Sequence, residues 1–266
     1  MAYVELHVHS AYSFLDGASL PEELVAAAVE RGHDSLALTD HNSLAGSMEF
    51  AQAARGVGLR AIHGAELDLD DGRHLTLLVA DAPGWSNLCR LVTAAHSHTR
   101  DLRPGPPGEP RVRLRTVLEH AEGLVCLTGC ASAGVEDEPT ARRLLEAFGP
   151  DRLRVELQRP YWRDDQARNR RRAALARRLG VPCVATGNIH AHARERAWLQ
   201  DALVAVRLHT TLDASEPARR GNHSHVLASP AAMARSVAAH HGGPDVGAPP
   251  AGVPHAAARP EVGGHA

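Results

Sequence analysis

Short apolar runs that suit strands alternate along this chain with longer runs that suit helices, and that alternation limits the fold more than any single residue does. "VELHVH", "DSLALTD", "LRAIHGAELDL", "HLTLLVAD", "GLVCLTGC", "RLRVELQ" and "VPCVATGNIH" read as about seven strands. Between most of them lie helical segments. In "SLPEELVAAAVERG", Ser19 is a candidate cap, Pro21 suits an early helical position, Glu22 and Glu23 favour the positive end, and Gly32 stops the run. "SLAGSMEFAQAARGVG", "GWSNLCRLVTAAH", "EPTARRLLEAFG" and "DQARNRRRAALARRLG" follow the same period. Interleaving of this kind builds parallel sheets, and at 266 residues it favours an α/β fold closed as a distorted parallel β/α barrel over an open doubly wound sheet. No G-x-G-x-x-G follows the first strand and no Walker pattern occurs, so nucleotide-cofactor readings lose most of their weight.

A formal net charge of −2 argues against a strongly basic nucleic-acid clamp and against a polybasic membrane anchor. With no run approaching the length of a membrane span and no leader pattern, a cytoplasmic protein is expected. Cys89, Cys126, Cys130 and Cys183 have neither zinc-ribbon spacing nor the density of a secreted disulfide scaffold. After Ala239 the text turns to "HHGGPDVGAPPAGVPHAAARPEVGGHA", without apolar periodicity. Residues 239–266 are therefore expected to be a disordered tail behind a domain of residues 1–238.

The polar residues gather at strand ends. His7 and His9 lie two apart, and on a pleated strand such residues share a face, so both imidazoles can turn toward one ion. In a parallel barrel the carboxyl ends of the strands open at one mouth. Asp40 and His41 end the second run, Glu66 the third, Cys130 follows "LVCLTG", and Asn188 and His190 follow "CVATG"; Asp16 and His98 come from nearby loops. Asp40 reads as a cap or as a group that orients His41 rather than as a ligand. His33, His63 and His74 lie at strand starts or mid-strand, where ordinary core or surface imidazoles are expected. This many imidazole and carboxylate donors exceeds what one tetrahedral ion uses, which implies about two to three divalent ions, zinc, manganese or iron. Such ions suit metal-assisted phosphoester hydrolysis. There is no G-x-S-x-G elbow, and Cys130 is more plausible as a ligand than as a nucleophile.

In order and spacing, "LHVHSAYSFLDGAS", "LALTDHNSLAG", "HGAEL", "LTGC" and "TGNIHAH" resemble the motifs of the polymerase and histidinol phosphatase (PHP) domain family. The match is nearest to the PHP domain of bacterial C-family DNA polymerases of the DNA polymerase III alpha type. "NLCRLVTAAHSHTR", "HAEGLVCLTGCASAGV", "LQDALVAVRLHTTLD" and "NHSHVLASPAAMA" are similar to its error-prone branch. The resemblance implies a barrel with a multi-metal site. Carried over by residue, its ligands are His7, His9, Asp16, His41, Glu66, His98 (with His96 as the alternative), Cys130, Asn188 and His190, and its catalytic part falls on His7, His9, Asp40, His41 and His190. Asn188 stands where the family has aspartate, and a neutral amide gives cations less charge.

The resemblance implies DNA or another phosphoester as substrate, a 3′-to-5′ exonuclease-like activity, and other polymerase or translesion components as partners, with no membrane. The chain is expected to lack the polymerase palm and so not to polymerise DNA by itself. Two further readings fit the same motifs: a structural or partner-binding module with weak catalysis, and a free-standing phosphatase of the histidinol-phosphate type. The basic run from Ala167 to Arg178 is expected to be a solvated helix face more than a phosphate-binding surface.

Overall fold

The computed structural model describes residues 3–99, 108–221 and 223–241. Its sheet has six strands in sequence order: β1 (Ser35–Leu38), β2 (Arg60–Asp68), β3 (His74–Val79), β4 (Leu124–Leu127), β5 (Leu153–Gln158) and β6 (Cys183–Thr186). The sheet is curled into a half-barrel. The first run of the sequence is no regular strand. Residues 4–9 instead lie extended between the two sheet edges, with Glu5 bridged to Leu36 and Val8 to Ile189.

Most neighbouring strands are parallel, as the alternation requires, but β3 runs antiparallel to both β2 and β4. The link from β2 to β3 is too short for a crossover helix, and it turns at Gly72, whose φ is +85°. A two-way turn of that length permits only a hairpin. This reversal distorts the barrel and brings the first residue of β3 to the mouth where the parallel strands end.

Helices cover the outside: α1 (Pro21–Glu30), α2 (Ser47–Val57), α3 (Ala82–His96), α4 (Leu114–Glu119), α5 (Glu138–Phe148), α6 (Asp165–Leu179), α7 (Ala197–Arg207) and α8 (Pro230–His241). Residue 242 onward, most of the expected tail, lies outside the described residues. Ser19 does not cap α1. The helix starts after Leu20, whose N–H donates to Glu23, while the Ser19 hydroxyl receives the His192 N–H.

Alternation along the strands sorts the core into layers. Outward residues Leu75, Leu77, Leu124, Cys126, Val155 and Leu157 pack under α3, α5 and α6, and Leu36 and Leu38 pack under α1 and α2. Inward positions start apolar at the floor, where Ala37, Ile62, Leu78, Val125, Leu127 and Val184 meet Leu6. Farther along the same inward columns come Glu66, Thr76, Glu156, Gln158 and Thr186, all buried. One strand face therefore supplies both the apolar floor and the polar layer above it.

Two glycines let the mouth close. A Cβ on Gly187 would come within 2.7 Å of Glu5 Oε2 and 2.6 Å of the Ile189 side chain. One on Gly129, whose φ is +91°, would meet the His74 carbonyl at 2.2 Å. Each follows a buried threonine, Thr186 or Thr128, and precedes a site residue, Asn188 or Cys130.

Candidate metal centre

Three overlapping groups of potential ligands line the mouth: His9, His41 and His190; His7, His9 and Glu66; and Glu66, His74 and Cys130. Within each group the donor atoms all lie within 4.8 Å of one another. Glu66 and His9 are shared between groups. His7 Nε2 stands 2.6 Å from Glu66 Oε2, His41 Nδ1 3.0 Å from Glu66 Oε1 and His74 Nδ1 3.5 Å from the same oxygen. On the other side of the cup, Asp16 Oδ2 lies 2.9 Å from His190 Nε2 and 3.2 Å from His41 Nε2.

The imidazoles are held by their far nitrogens. His7 Nδ1 donates to Glu156 at 2.7 Å, and Glu156 is itself held by Gln158 and by the Thr186 hydroxyl. His9 Nδ1 reaches the Ser13 hydroxyl at 3.3 Å, which in turn donates to Asp40 at 2.7 Å. His190 Nδ1 donates to the Asn188 carbonyl at 3.0 Å. In His9 and His190 these bonds assign the proton to Nδ1 and leave Nε2 facing the cup with its lone pair, the tautomer that metal ligation needs. Glu156 and Glu66 on either side of His7 hold that imidazole well above its ordinary value, so an ion must displace its Nε2 proton.

The orphaned atoms are consistent with this. Among the described residues, His9 Nε2 and Asn188 Oδ1 are buried with no hydrogen-bond partner, while His7 Nε2 and Glu66 Oε2 face each other at 2.6 Å and Asp16 Oδ1 faces Arg207 at 3.3 Å. Buried polar atoms are rarely left unsatisfied, and unpaired acceptors beside crowded carboxylates and imidazoles fit cations as further partners. Oxygen, nitrogen and one sulfur donor make a mixed set suited to zinc, manganese or iron.

Charge alternates through the cluster. Burial opposes charging His41, but Glu66 and Asp16 outweigh it and hold the imidazole at about 10. Burial likewise opposes charging His74, yet Glu66 and Asp68 hold it at about 12. His9 is pushed well down by burial and by the charges of His41 and His190, and its ring stacks on His41 with centroids 4.2 Å apart. His190 falls to about 4 through burial and the adjacent Arg220. The Cys130 thiol would be raised by burial alone, but His74 Nε2 at 2.7 Å brings it below its ordinary value.

Of the residues expected from sequence, the structure brings His7, His9, Asp16, His41, Glu66, Cys130 and His190 together, with Asn188 buried beside His190. Asp40 does not face the cup; it accepts from the Ser10 N–H and hydroxyl and from Ser13, and so shapes the loop that carries Asp16. His98 is a correction. It is exposed, and its Nε2 donates to the Glu109 carbonyl. Its alternative, His96, donates to the Asn42 carbonyl, and neither joins the three groups. His74, read from sequence as an ordinary imidazole, stands there instead. It opens an antiparallel strand and pairs with Asp68, so it shares the inward face of Glu66 and Thr76.

Sequence reasoning also missed Arg172. In the basic run read as a solvated face, Arg172 is 1% exposed, and its guanidinium donates to the carbonyls of Gly129, Cys130 and Glu156 and to Glu136. It ties the Cys130 turn to the strand that carries Glu156. Arg168 of the same helix is buried against Asp165, whereas Arg171 and Arg178 are exposed. The signal available was the period: Arg168, Arg172 and Leu175 lie along one helical stripe.

A family model described as the PHP domain matches residues 5–160, more than half of the chain. The chain belongs to the PHP domain family. Curated relatives of this PHP domain include error-prone DNA polymerases of Symbiobacterium thermophilum, 38% identical over 253 residues, and Mycobacterium tuberculosis, 39% identical over 236. Those alignments cover 88% and 81% of this chain but only 23% and 21% of the polymerases, so the chain spans under a quarter of their length.

Among solved structures, a Bifidobacterium adolescentis protein assigned as a metal-dependent phosphoesterase superposes with a TM-score of 0.54 at 16% identity, covering 71% of this chain and 88% of that one. A Chromobacterium violaceum amidohydrolase gives 0.50 at 20% identity over the same shares. Both share the fold of this PHP domain. Among the described residues, no helix is long and apolar enough to cross a membrane.

Proposed function

We propose that this PHP domain is a metal-dependent phosphoesterase whose cup holds about two to three divalent ions of zinc, manganese or iron. The ligand set is His7, His9, Asp16, His41, Glu66, Cys130, Asn188 and His190, with His74 in place of His98. The observation that carries this reading is the overlap of three donor groups through shared Glu66 and His9, with the inward His9 Nε2 left unpaired. Divalent ions bound this closely activate water and clamp the oxygens of a phosphoryl group.

The protein's own groups do the rest. Glu156 and the Ser13–Asp40 pair fix the tautomers of His7 and His9. Arg207 and Arg220 carry positive charge at the rim beside Asp16, where an anionic substrate enters. The substrate class we infer is DNA, attacked from an end in the manner of a 3′-to-5′ exonuclease, in the cytoplasm and beside polymerase or translesion components. The similarity to error-prone DNA polymerases supports that choice. The domain is taken to span residues 1–238.

Asn188 favours a second reading. Its φ of +49° is a left-handed conformation that asparagine tolerates, and its amide oxygen offers less charge than the carboxylate of the family motif. A site weakened in this way would hold ions mainly to brace the fold.

The test is Mn²⁺-dependent release of nucleotides from an end-labelled single-stranded oligonucleotide by the wild type and by Asn188→Asp. Turnover that a chelator abolishes, and that rises about tenfold in Asn188→Asp, is expected. Metal uptake without turnover in either protein would select the bracing role. No metal uptake would overturn both readings.

A further inference from the structure

Arg220 reaches into the cup where Asp16 and His190 meet. It lies just beyond the short helical turn Glu216–Ala218, with its side chain 25% exposed. Its Nη2 stands 3.0 Å from Asp16 Oδ2 and 2.6 Å from His190 Nε2. Because His190 gives its Nδ1 proton to the Asn188 carbonyl, Nε2 can only accept, and the guanidinium N–H is shared between that lone pair and the Asp16 carboxylate.

An ion held by Asp16 and His190 needs those same electron pairs, so ion and guanidinium exclude each other. An arginine cannot yield by losing its proton. It can only move. Its bonds to Asp16 and His190 both run through Nη2, and Nε has no hydrogen-bond partner among the described residues. Arg207, on α7, contrasts with it: it approaches Asp16 Oδ1 at 3.3 Å from the rim and reaches no imidazole of the cup.

We propose that Arg220 is an exchangeable internal cation. In the metal-free protein it neutralises Asp16 and keeps Asp16 and His190 together; a bound divalent ion displaces it, and the freed guanidinium then pairs with a phosphoryl oxygen of the substrate. This inference rests on the metal-binding reading above. It assigns Arg220 two successive partners, a carboxylate and then a phosphate, which the planar fork of an arginine matches equally well.

The test is calorimetric titration of Mn²⁺ into metal-stripped wild type, Arg220→Gln and Arg220→Lys, with melting temperatures measured with and without Mn²⁺. Arg220→Gln is expected to bind Mn²⁺ about tenfold more tightly than the wild type, because nothing has to be displaced. Its metal-free melting temperature falls while its gain on adding Mn²⁺ grows. Its Mn²⁺-loaded form binds inorganic phosphate about tenfold more weakly. Arg220→Lys, which keeps the charge, stays near the wild type.

Equal or weaker Mn²⁺ binding by Arg220→Gln, in a background where the wild type binds Mn²⁺, overturns the exchange. So does equal destabilisation with and without the ion, which marks a purely structural salt bridge. A wild type that takes up no Mn²⁺ overturns the metal-binding reading instead. A crystal structure of the Mn²⁺-loaded wild type keeps the question answerable even if Arg220→Gln does not fold: Arg220 away from Asp16 supports the exchange, and Arg220 still bonded to it does not.

Discussion

Glu66→Gln is expected to weaken divalent-ion binding by about a hundredfold or more and to reduce hydrolysis at least in proportion. Glu66 touches three imidazoles and belongs to two of the three donor groups, so it is the group that one ion cannot lose without affecting the next. An amide of the same shape removes the negative charge and offers one oxygen instead of two. The metal-free protein should lose stability as well. His41 and His74 keep their protons largely because of this carboxylate, and without it one half-buried and one buried imidazolium lose their main partner. Equilibrium dialysis against Mn²⁺ with elemental analysis measures the first effect. Retention of the wild-type stoichiometry and affinity by Glu66→Gln would show that Glu66 is not the shared ligand.

Metal binding is expected to tighten steeply as pH rises from about 6 to about 8, with protons released on uptake. The sign follows from the metal-free charges. His41 is held at about 10 and His74 at about 12, so both carry a proton at neutral pH that an ion must displace from a ligating nitrogen. Each displaced proton adds about a tenfold gain in affinity per pH unit below its pKa. Stability runs the opposite way in the metal-free protein. A histidine whose pKa is raised by folding contributes fully below its unfolded value of about 6.5, and the contribution is lost as pH climbs through the folded value. The gap in melting temperature between metal-loaded and metal-free protein should therefore widen with pH above about 6.5. Titration of Mn²⁺ in two buffers of different ionisation enthalpy counts the protons. Uptake without proton release would mean that these imidazoles do not bind the ions.

The barrel mouth was legible because parallel strands put their carboxyl ends together, and of the residues read at such ends His9, His41, Glu66, Cys130 and His190 lie in the three donor groups, whereas Asp40 holds Ser10 and Ser13 instead. His74 was hidden by the same rule. A residue at the start of a strand belongs at the far end of a parallel barrel, and only the tight turn at Gly72, which forces β3 to run backwards, brings it to the mouth. The turn residues "DLDDGRH" carried that information, but a reading tuned to strand–helix alternation passes over a hairpin. His98 was read from a nearby loop and from the resemblance, whereas its exposed imidazole bonds to the Glu109 carbonyl.

Burial decided the remaining differences. Glu156 alternates inward along "RVELQ" and could have been assigned from strand period alone, but an acid followed by no motif draws no attention. Arg172 could not be separated from its arginine-rich neighbours by composition; only the helical period, which sets it on the stripe of Arg168 and Leu175, marks it as the one that turns inward to meet three carbonyls. Arg220 lies between two of the segments similar to the error-prone branch, in none of the motifs that carry the ligands, and reaches Asp16 only through the path of the chain after α7.

The most direct measurement is X-ray diffraction from crystals grown with Mn²⁺ or Zn²⁺, with data collected at the absorption edge of the metal. Anomalous peaks are expected inside the cup, bounded by His7, His9 and Glu66, by His9, His41 and His190, and by Glu66, His74 and Cys130. Peaks confined to surface histidines, or a cup that stays free of metal at saturating concentration, would contradict the account.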